Sequence, residues 1–480
     1  MNGNLYHRLY EGFASQLDKV CLAQPGDRDW TYGEIDELSA RLARVLLGRA
    51  QAGDRVLMQV GKSAEAVCLY LACLRSGLVL VPLNTAYTAG ELDYFVADAS
   101  PAIQVFDEEL QSLCREAAGT EPMRAIAQVE SDQLAAILYT SGTTGRSKGA
   151  MLSHGNLSSN AMTLHKLWGF ESGDVLLHAL PIFHVHGLFV ALNTALLNAS
   201  KILFLEKFDV ELVLEQLPAA TLMMGVPTFY TRLLASPDFA AAHFAHMRLF
   251  ICGSAPLTEQ TFAEFEQRTG QRILERYGMS EAGMITSNPL DGERIAGTVG
   301  HALPGVEVRI CDPEGNQLGT GEVGIVEARG PNIFAGYWQM PEKTAAEFRS
   351  GNWFITGDMG ALDEEGRLRL VGREKDLVIS GGYNVYPKEV ELCLDEISGI
   401  GESAVIGVPH PDFGEAVVAV CVASGDNLPS DEEISGQLAN KLARFKQPKR
   451  ILAIDELPRN AMGKVQKNEL RERYANLFDG

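Results

Sequence analysis

Nowhere do the 480 residues hold an apolar run long enough to cross a bilayer, since the longest, 64 to 83, is interrupted by Glu65, Arg75 and Gly77. No membrane span is expected. The first twenty residues, MNGNLYHRLYEGFASQLDKV, lack the apolar centre of a signal peptide and carry Glu11 and Asp18, so they read as an amphipathic helix and the chain as cytoplasmic. Basic charge is scarce as well. Forty-one Lys and Arg against 62 Asp and Glu leave a net charge of -21, which excludes a general affinity for nucleic-acid backbones or anionic membranes. An anionic ligand must therefore find a local basic site. The eight cysteines, at 21, 68, 73, 114, 252, 311, 393 and 421, form no CxxC pair and no zinc spacing, so reduced and mostly buried thiols are expected. Internal repeats and low-complexity segments are absent too.

What is present is the balance of a soluble globular protein, 46% hydrophobic and 21% charged, in a chain too long for one core. At least two domains follow. Between 34 and 100, helical periodicity (EIDELSARLARVLLGRA) alternates with short apolar runs (RVLMQV, LVLVPL), and the alternation returns at AAILYT, ATLMMGVP and LFICGSAP. This predicts an α/β body with parallel-rich sheets and helices. Near 370 a charged, breaker-rich segment leads into a compact α+β pattern of about a hundred residues. There a helix over DEEISGQLANKLARFKQPKR precedes a last strand, ILAIDELP.

The segment LYTSGTTGRSKG, 138 to 149, concentrates hydroxyls, glycines and cations after an apolar run. Glycines let backbone N–H groups approach a phosphate, hydroxyls add donors and Lys148 adds charge, so Thr140, Ser141, Gly142, Thr143, Thr144, Gly145 and Lys148 read as a phosphate cradle. No Gly-Lys-Ser/Thr triplet occurs there, which disfavours a P-loop NTPase. Ser153 or Asn156 is a plausible cap for the helix that follows. Alone, such a turn is more often an ordinary surface loop.

It is not alone. In order along the chain stand ERYGMSEAG (275 to 283), TGD (356 to 358), GREKDLVISGGYNVYPKEVE (372 to 391) and PRNAMGKVQK (458 to 467). Together with the cradle these resemble the motifs of adenylate-forming enzymes: acyl-CoA synthetases, luciferases and peptide-synthetase adenylation domains. The resemblance covers essentially the whole chain, and LPIFHVHGLFVA, MGVPTFYTRLL, NPLDGERIAGTVG and ELPRNAMGKVQK narrow it to malonyl-CoA synthetases.

The resemblance implies a large N-terminal ATP- and acyl-binding domain (1–372), a hinge (373–376, with Lys375) and a small mobile C-terminal domain (377–480) carrying the catalytic lysine. ATP, Mg²⁺ and coenzyme A are the implied cofactors. Asp358 and Arg373 would hold the ribose or phosphates; Gly253, Ser254, Ala255 and Pro256 would lie on one side of the nucleotide and Arg276, Tyr277, Gly278 and Ser280 on the other. Ser280 stands where many relatives carry threonine, but the hydroxyl is kept. Glu281, with Thr144, would ligate Mg²⁺, a hard cation that wants carboxylate oxygen. Lys464 would bridge the substrate carboxylate and the α-phosphate, with Lys467 as its rival; without the upstream motifs both would read as a solvated basic tail. Gly381 and Gly382 resemble the thiol-tunnel edge. Among the cations Lys441, Arg444, Lys446, Lys449 and Arg450, Arg444 and Lys446 are the candidates for coenzyme A phosphates, and a solvated helix end is an equal alternative.

The acyl pocket decides the acid. A distal carboxylate buried beside the reacting one needs a cation, and Arg294 is the first candidate, Arg232 the second and Arg248 a weaker third. Either of the first two could instead serve a structural ion pair. His184, Val185 and His186 would line the entrance, with Met284 closing one side. The expected activity is ATP-dependent malonate:CoA ligation through malonyl-AMP, tolerant of methylmalonate, by a monomer or homodimer that engages neither nucleic acid nor membrane. A monocarboxylate CoA ligase, an adenylation domain serving a carrier protein and a silent acyl-adenylate sensor are the rivals, and the presence of Lys464 and Glu281 counts against the last.

Overall fold

A computed structural model describes residues 2–140, 147–381, 383–425, 427–439, 441–459 and 464–478. The chain divides into two compact units, residues 1–308 with 328–354 and residues 309–327 with 355–480. Among the described residues no helix is long and apolar enough to cross a membrane.

The first unit holds two parallel-rich sheets. In one, strands Arg55–Met58, Val79–Pro82, Ile103–Val105 and Leu134–Thr140 run parallel, and Lys148–Ser153 closes the edge antiparallel to Leu134–Thr140. In the other, Val175–His178, Lys201–Phe204, Leu222–Gly225, Leu249–Cys252 and the start of Leu274–Met279 are parallel. These strands are nearly continuous apolar runs, as sheets covered on both faces require. The expected amphipathic helix forms at Leu5–Phe13, burying Leu5, Tyr6, Leu9 and Phe13. Helix Tyr32–Leu47 is started by a capping box in which Thr31 and Glu34 satisfy each other's backbone N–H.

Parallel strands deliver their carboxyl ends to one rim, where ligands of open α/β sheets bind. In the second sheet, strands Val175–His178 and Leu249–Cys252 lead at their carboxyl ends into residues 179–187 and 253–256. Before the helix His154–Leu167 lies the strand Lys148–Ser153, paired antiparallel with Leu134–Thr140 from Thr140↔Lys148 through Ala136↔Leu152. Ala150 and Leu152 are buried on the sheet, and that burial favours strand over helix. Ser153 is the helix cap and Asn156 its reciprocal partner, at 3.0 and 2.9 Å.

In the second unit, strands Ile400–His410 and Gly414–Ala423 pair antiparallel, flanked by Val378–Ser380 and Arg450–Ala453. Alternate residues face opposite ways. Val405, Val417, Ala419 and Cys421 pack with Val390, Leu394, Ile434 and Leu438, while Ala404, Ile406, Val408, Val418 and Val420 pack with Leu457 and Leu470. The helix over 431–450 ends earlier than its periodicity predicts. It covers Asp431–Ala439, after which Leu442 turns into the core and Arg444–Lys446 form a single 3₁₀ turn.

Candidate active site

In the first unit the phosphate cradle and the acidic motif converge on one tyrosine. Tyr337 donates its hydroxyl proton to Glu281 Oε1 at 3.0 Å, and the Lys148 ammonium lies 4.4 Å from its ring centroid. Lys148 also stands 3.7 Å from Glu347, a carboxylate next to the cation that the cradle would present to phosphate. Thr140 reaches the Lys148 carbonyl at 3.4 Å, and Ser141, Gly142, Thr143, Thr144 and Gly145 lie outside the described residues. Glu281 is buried, and one buried carboxylate suits a Mg²⁺ carried by nucleotide phosphates better than a metal held by protein alone. The described residues contain no cluster of three His, Cys, Asp or Glu able to hold a metal.

The turn that presents Glu281 is clamped from behind. Asn160 accepts from Met284 N at 3.0 Å and donates to Met284 O at 2.8 Å, and Asn332 Nδ2 donates to Ala282 O and Met284 O at 2.8 and 2.9 Å. Glycine is required at 278, where a Cβ would fall 2.0 Å from Gly283 O. Met284 covers Gly278 and is itself fully buried, and Val185 packs beside Asn160, Ala282 and Asn332 rather than at an entrance.

The acyl-pocket arginines fall out differently from the sequence expectation. Arg294 donates to three backbone carbonyls, Pro289 O at 3.1 Å, Arg272 O at 2.6 Å and Leu290 O at 2.7 Å, so its guanidinium is committed to the chain. Arg232 is exposed on helix Pro227–Ala235, and Arg248 is paired with Asp174. Arg276 is the exception. It is buried, and its Nε, Nη1 and Nη2 have no hydrogen-bond partner among the described residues. Burial pulls its pKa down from 12.5 to about 10. The strand register explains its place: Cys252 pairs with Glu275, so Gly253 comes next to Arg276, and a Cβ on Gly253 would lie 2.3 Å from Nη1. Neighbouring His186 is buried, with Nδ1 3.3 Å from Ser254 Oγ and Nε2 unpartnered. Burial first, and then the Arg276 charge, hold that imidazole neutral. Ser254 carries a φ of 71°, a left-handed backbone uncommon outside glycine that recurs at functional sites. Ala255 and Pro256 follow it at the surface, and His184 is half-buried with Nδ1 3.4 Å from His186 N. A buried guanidinium beside a buried imidazole nitrogen, neither with a hydrogen-bond partner among the described residues, suits an anionic ligand when Ser254 donates to Nδ1 and Nε2 carries the proton.

In the second unit Asp358 and Arg373 are directly opposed across the antiparallel strands Trp353–Leu362 and Leu368–Arg373, with Arg373 Nε 2.8 Å from Asp358 Oδ1. The 3₁₀ turn Glu374–Asp376 follows, pinned by Arg471 to Asp376 at 2.6 Å, and burial lowers the pKa of its Lys375. Lys467 forms an ion pair with the buried Glu391 at 2.5 Å, whereas Lys464 is exposed. Lys446 is held by Glu389 at 2.6 Å and Lys441 by Glu396 at 2.5 Å, so Lys446 serves an internal pair here instead of standing ready for phosphate; Arg444 is exposed. Gly381, with a φ of 59°, bonds to Phe413 O, and Gly382 lies outside the described residues.

The AMP-binding enzyme model matches residues 10–338, and the AMP-binding enzyme C-terminal domain model matches residues 389–464. The chain belongs to the AMP-binding enzyme family. The ATP-bound crystal structure of MatB from Rhodopseudomonas palustris superposes with a TM-score of 0.96 at 49% identity, covering 100% of both chains. Malonate–CoA ligase of Arabidopsis thaliana is 33% identical over 98% of this chain and 89% of its own, and the mitochondrial malonate–CoA ligase ACSF3 of Mus musculus is 34% identical over 92% and 86%. As an AMP-binding enzyme the chain has positioning residues that sequence reading missed: Tyr337, Asn160 and Asn332, each far from the motif it supports. The GY dipeptide at 336–337 was the available signal for the first.

Proposed function

We propose that this enzyme is an ATP-dependent malonate:CoA ligase that also accepts methylmalonate. The observation that carries the reading is the unpartnered Arg276 guanidinium beside the unpartnered His186 Nε2. A distal carboxylate would satisfy both through charge-assisted hydrogen bonds, and an acid without one would leave them stranded. This replaces Arg294 and Arg232 as partner of the distal carboxylate.

In the proposed chemistry the other carboxylate attacks the α-phosphorus of ATP and displaces pyrophosphate, giving malonyl-AMP. Residues 140–148 hold the phosphates, Asp358 and Arg373 the ribose, and Lys464 offsets the charge that develops between carboxylate and α-phosphate. Glu281, oriented by Tyr337, would ligate Mg²⁺, whose contribution is to neutralise phosphate charge. Coenzyme A thiolate then attacks the acyl carbonyl, AMP leaves and malonyl-CoA forms. Residues 373–376 act as the hinge between the two steps. Gly381, Gly382 and Arg444 are the proposed coenzyme A contacts.

The test is thiol consumption by purified protein with ATP and Mg²⁺ across malonate, methylmalonate, succinate, acetate, butyrate and benzoate. Malonate and methylmalonate should lead by at least about a hundredfold in kcat/KM over acetate and butyrate. A monocarboxylate in first place would overturn the reading.

A further inference from the structure

Lys62 lies outside every motif with an assigned role, yet it is bonded into the wall of the acyl site. Its Nζ lies 2.9 Å from His178 Nδ1 and 2.8 Å from His178 O, 4.4 Å from the Phe204 ring centroid. His178 is the last residue of strand Val175–His178, and its Nε2 lies 2.9 Å from Gly187 O. A carbonyl oxygen only accepts, so Nε2 carries the proton, Nδ1 is bare, and Lys62 must donate to it. Bonds on both sides therefore fix one tautomer and one ring orientation.

The carbonyl at the end of this relay belongs to the residue after His186. Gly187 is packed so tightly that a Cβ would lie 2.0 Å from Pro181 O, so the turn cannot slide without breaking the His178 bond. His186 opens the π-helical turn His186–Leu192, an uncommon geometry found mostly at functional sites. Among the described residues Lys62 forms no ion pair, and burial, opposed by the charge of Glu206, drives its pKa well below the ordinary lysine value. Placing a lysine there costs stability, and an apolar residue would fill the space more cheaply.

We propose that Lys62 is a positioning residue for acid recognition: through His178 and the Gly187 carbonyl it holds the His186 imidazole beside Arg276, so that both reach the distal carboxylate together. This rests on the dicarboxylate reading of the acyl site. Lys62 touches neither substrate nor nucleotide in this account, so its loss acts on one substrate's KM.

The experiment compares wild type, Lys62→Met, Lys62→Arg and His178→Asn in steady-state assays with malonate and ATP varied separately, alongside thermal melts. Lys62→Met should raise KM for malonate about tenfold or more while KM for ATP stays within about twofold, and Lys62→Arg, which keeps a donor, should recover part of the loss. His178→Asn, which removes the bond to Gly187 O with Lys62 intact, should show the same split and carries the test if Lys62→Met does not fold. Parallel changes in both KM values, or a fall in kcat alone, would overturn the relay and leave Lys62 as a brace. A wild-type enzyme that ignores malonate would instead sink the dicarboxylate reading before any variant is made.

Discussion

Replacing Arg276 by methionine should make the protein more stable and the enzyme far worse, and the two effects have one origin. A guanidinium whose pKa has fallen from 12.5 to about 10 on burial is one whose charged form costs the fold about 3 kcal/mol at neutral pH, at about 1.4 kcal/mol per pH unit. Methionine has similar volume and no charge, and after local relaxation its gain should be about 1–3 kcal/mol, as when buried ions give way to apolar residues. In the melt this is a rise of a few degrees without ligand. Activity moves the other way. A charge-assisted, two-pronged contact to a buried carboxylate contributes about 3–4 kcal/mol, so kcat/KM for malonate should fall roughly 10²- to 10³-fold. Butyrate, which offers a methyl where malonate offers charge, should gain on malonate by a similar factor. The assay is pyrophosphate release with each acid, paired with thermal melts of the free enzyme. A variant that melts below wild type would show that Arg276 is held by the protein after all, and one that keeps malonate activity would show that the carboxylate binds elsewhere.

The two late lysines should separate cleanly: Lys464→Ala abolishes acid-dependent pyrophosphate release, whereas Lys467→Met leaves that chemistry but lowers stability by about 1–3 kcal/mol by leaving the buried Glu391 only Lys388 at 3.9 Å and the Val405 N–H, measurable by urea titration. Tyr337→Phe removes the hydroxyl that donates to Glu281 and should raise the Mg²⁺ concentration for half-maximal rate several-fold, read from a Mg²⁺ titration at saturating ATP. An unchanged Mg²⁺ dependence would disconnect the tyrosine from the metal role. Acid should weaken the fold below about pH 6.5. Burial lowers His154 to about 4 and His178 to about 3, so the unfolded chain takes up protons that the native one refuses, and stability falls as pH falls by about 1.4 kcal/mol per unit for each histidine. Asp395 works against this, because burial raises it to about 6 and the native state holds its proton between there and the ordinary value near 3.8. Asp395→Asn should therefore steepen the decline between pH 6 and 4 in denaturant titrations, and an unaltered slope would refute that assignment.

Much of this was legible in the residues because it is local. The short apolar runs became the parallel strands at nearly their written positions, and Ser153 with Asn156 announced a helix start that the structure confirms as a capping box. Asp358 and Arg373 are named by motifs fifteen residues apart that a hairpin register then brings face to face. The arginine proposed for the acyl site was not legible. Arg294 and Arg276 sit in equally suggestive surroundings, and the difference lies in carbonyl oxygens at 272, 289 and 290 that absorb one guanidinium and in the Gly253 strand that shelters the other without binding it. The strand Lys148–Ser153 was likewise not written locally: KGAMLS carries no breaker to part strand from helix, and only pairing with Leu134–Thr140 decides. Tyr337, Asn160 and Asn332 act across 56, 124 and 48 residues, distances over which no local pattern speaks.

Gly253 gives the proposed acid site a control point of its own. The atom a side chain would strike there is the far end of a long, bendable arginine, so an alanine could be accommodated by swinging the guanidinium aside, with little harm to the framework. If Arg276 holds the distal carboxylate as proposed, one added methyl would displace that cation while leaving the proposed phosphate and ribose residues in place.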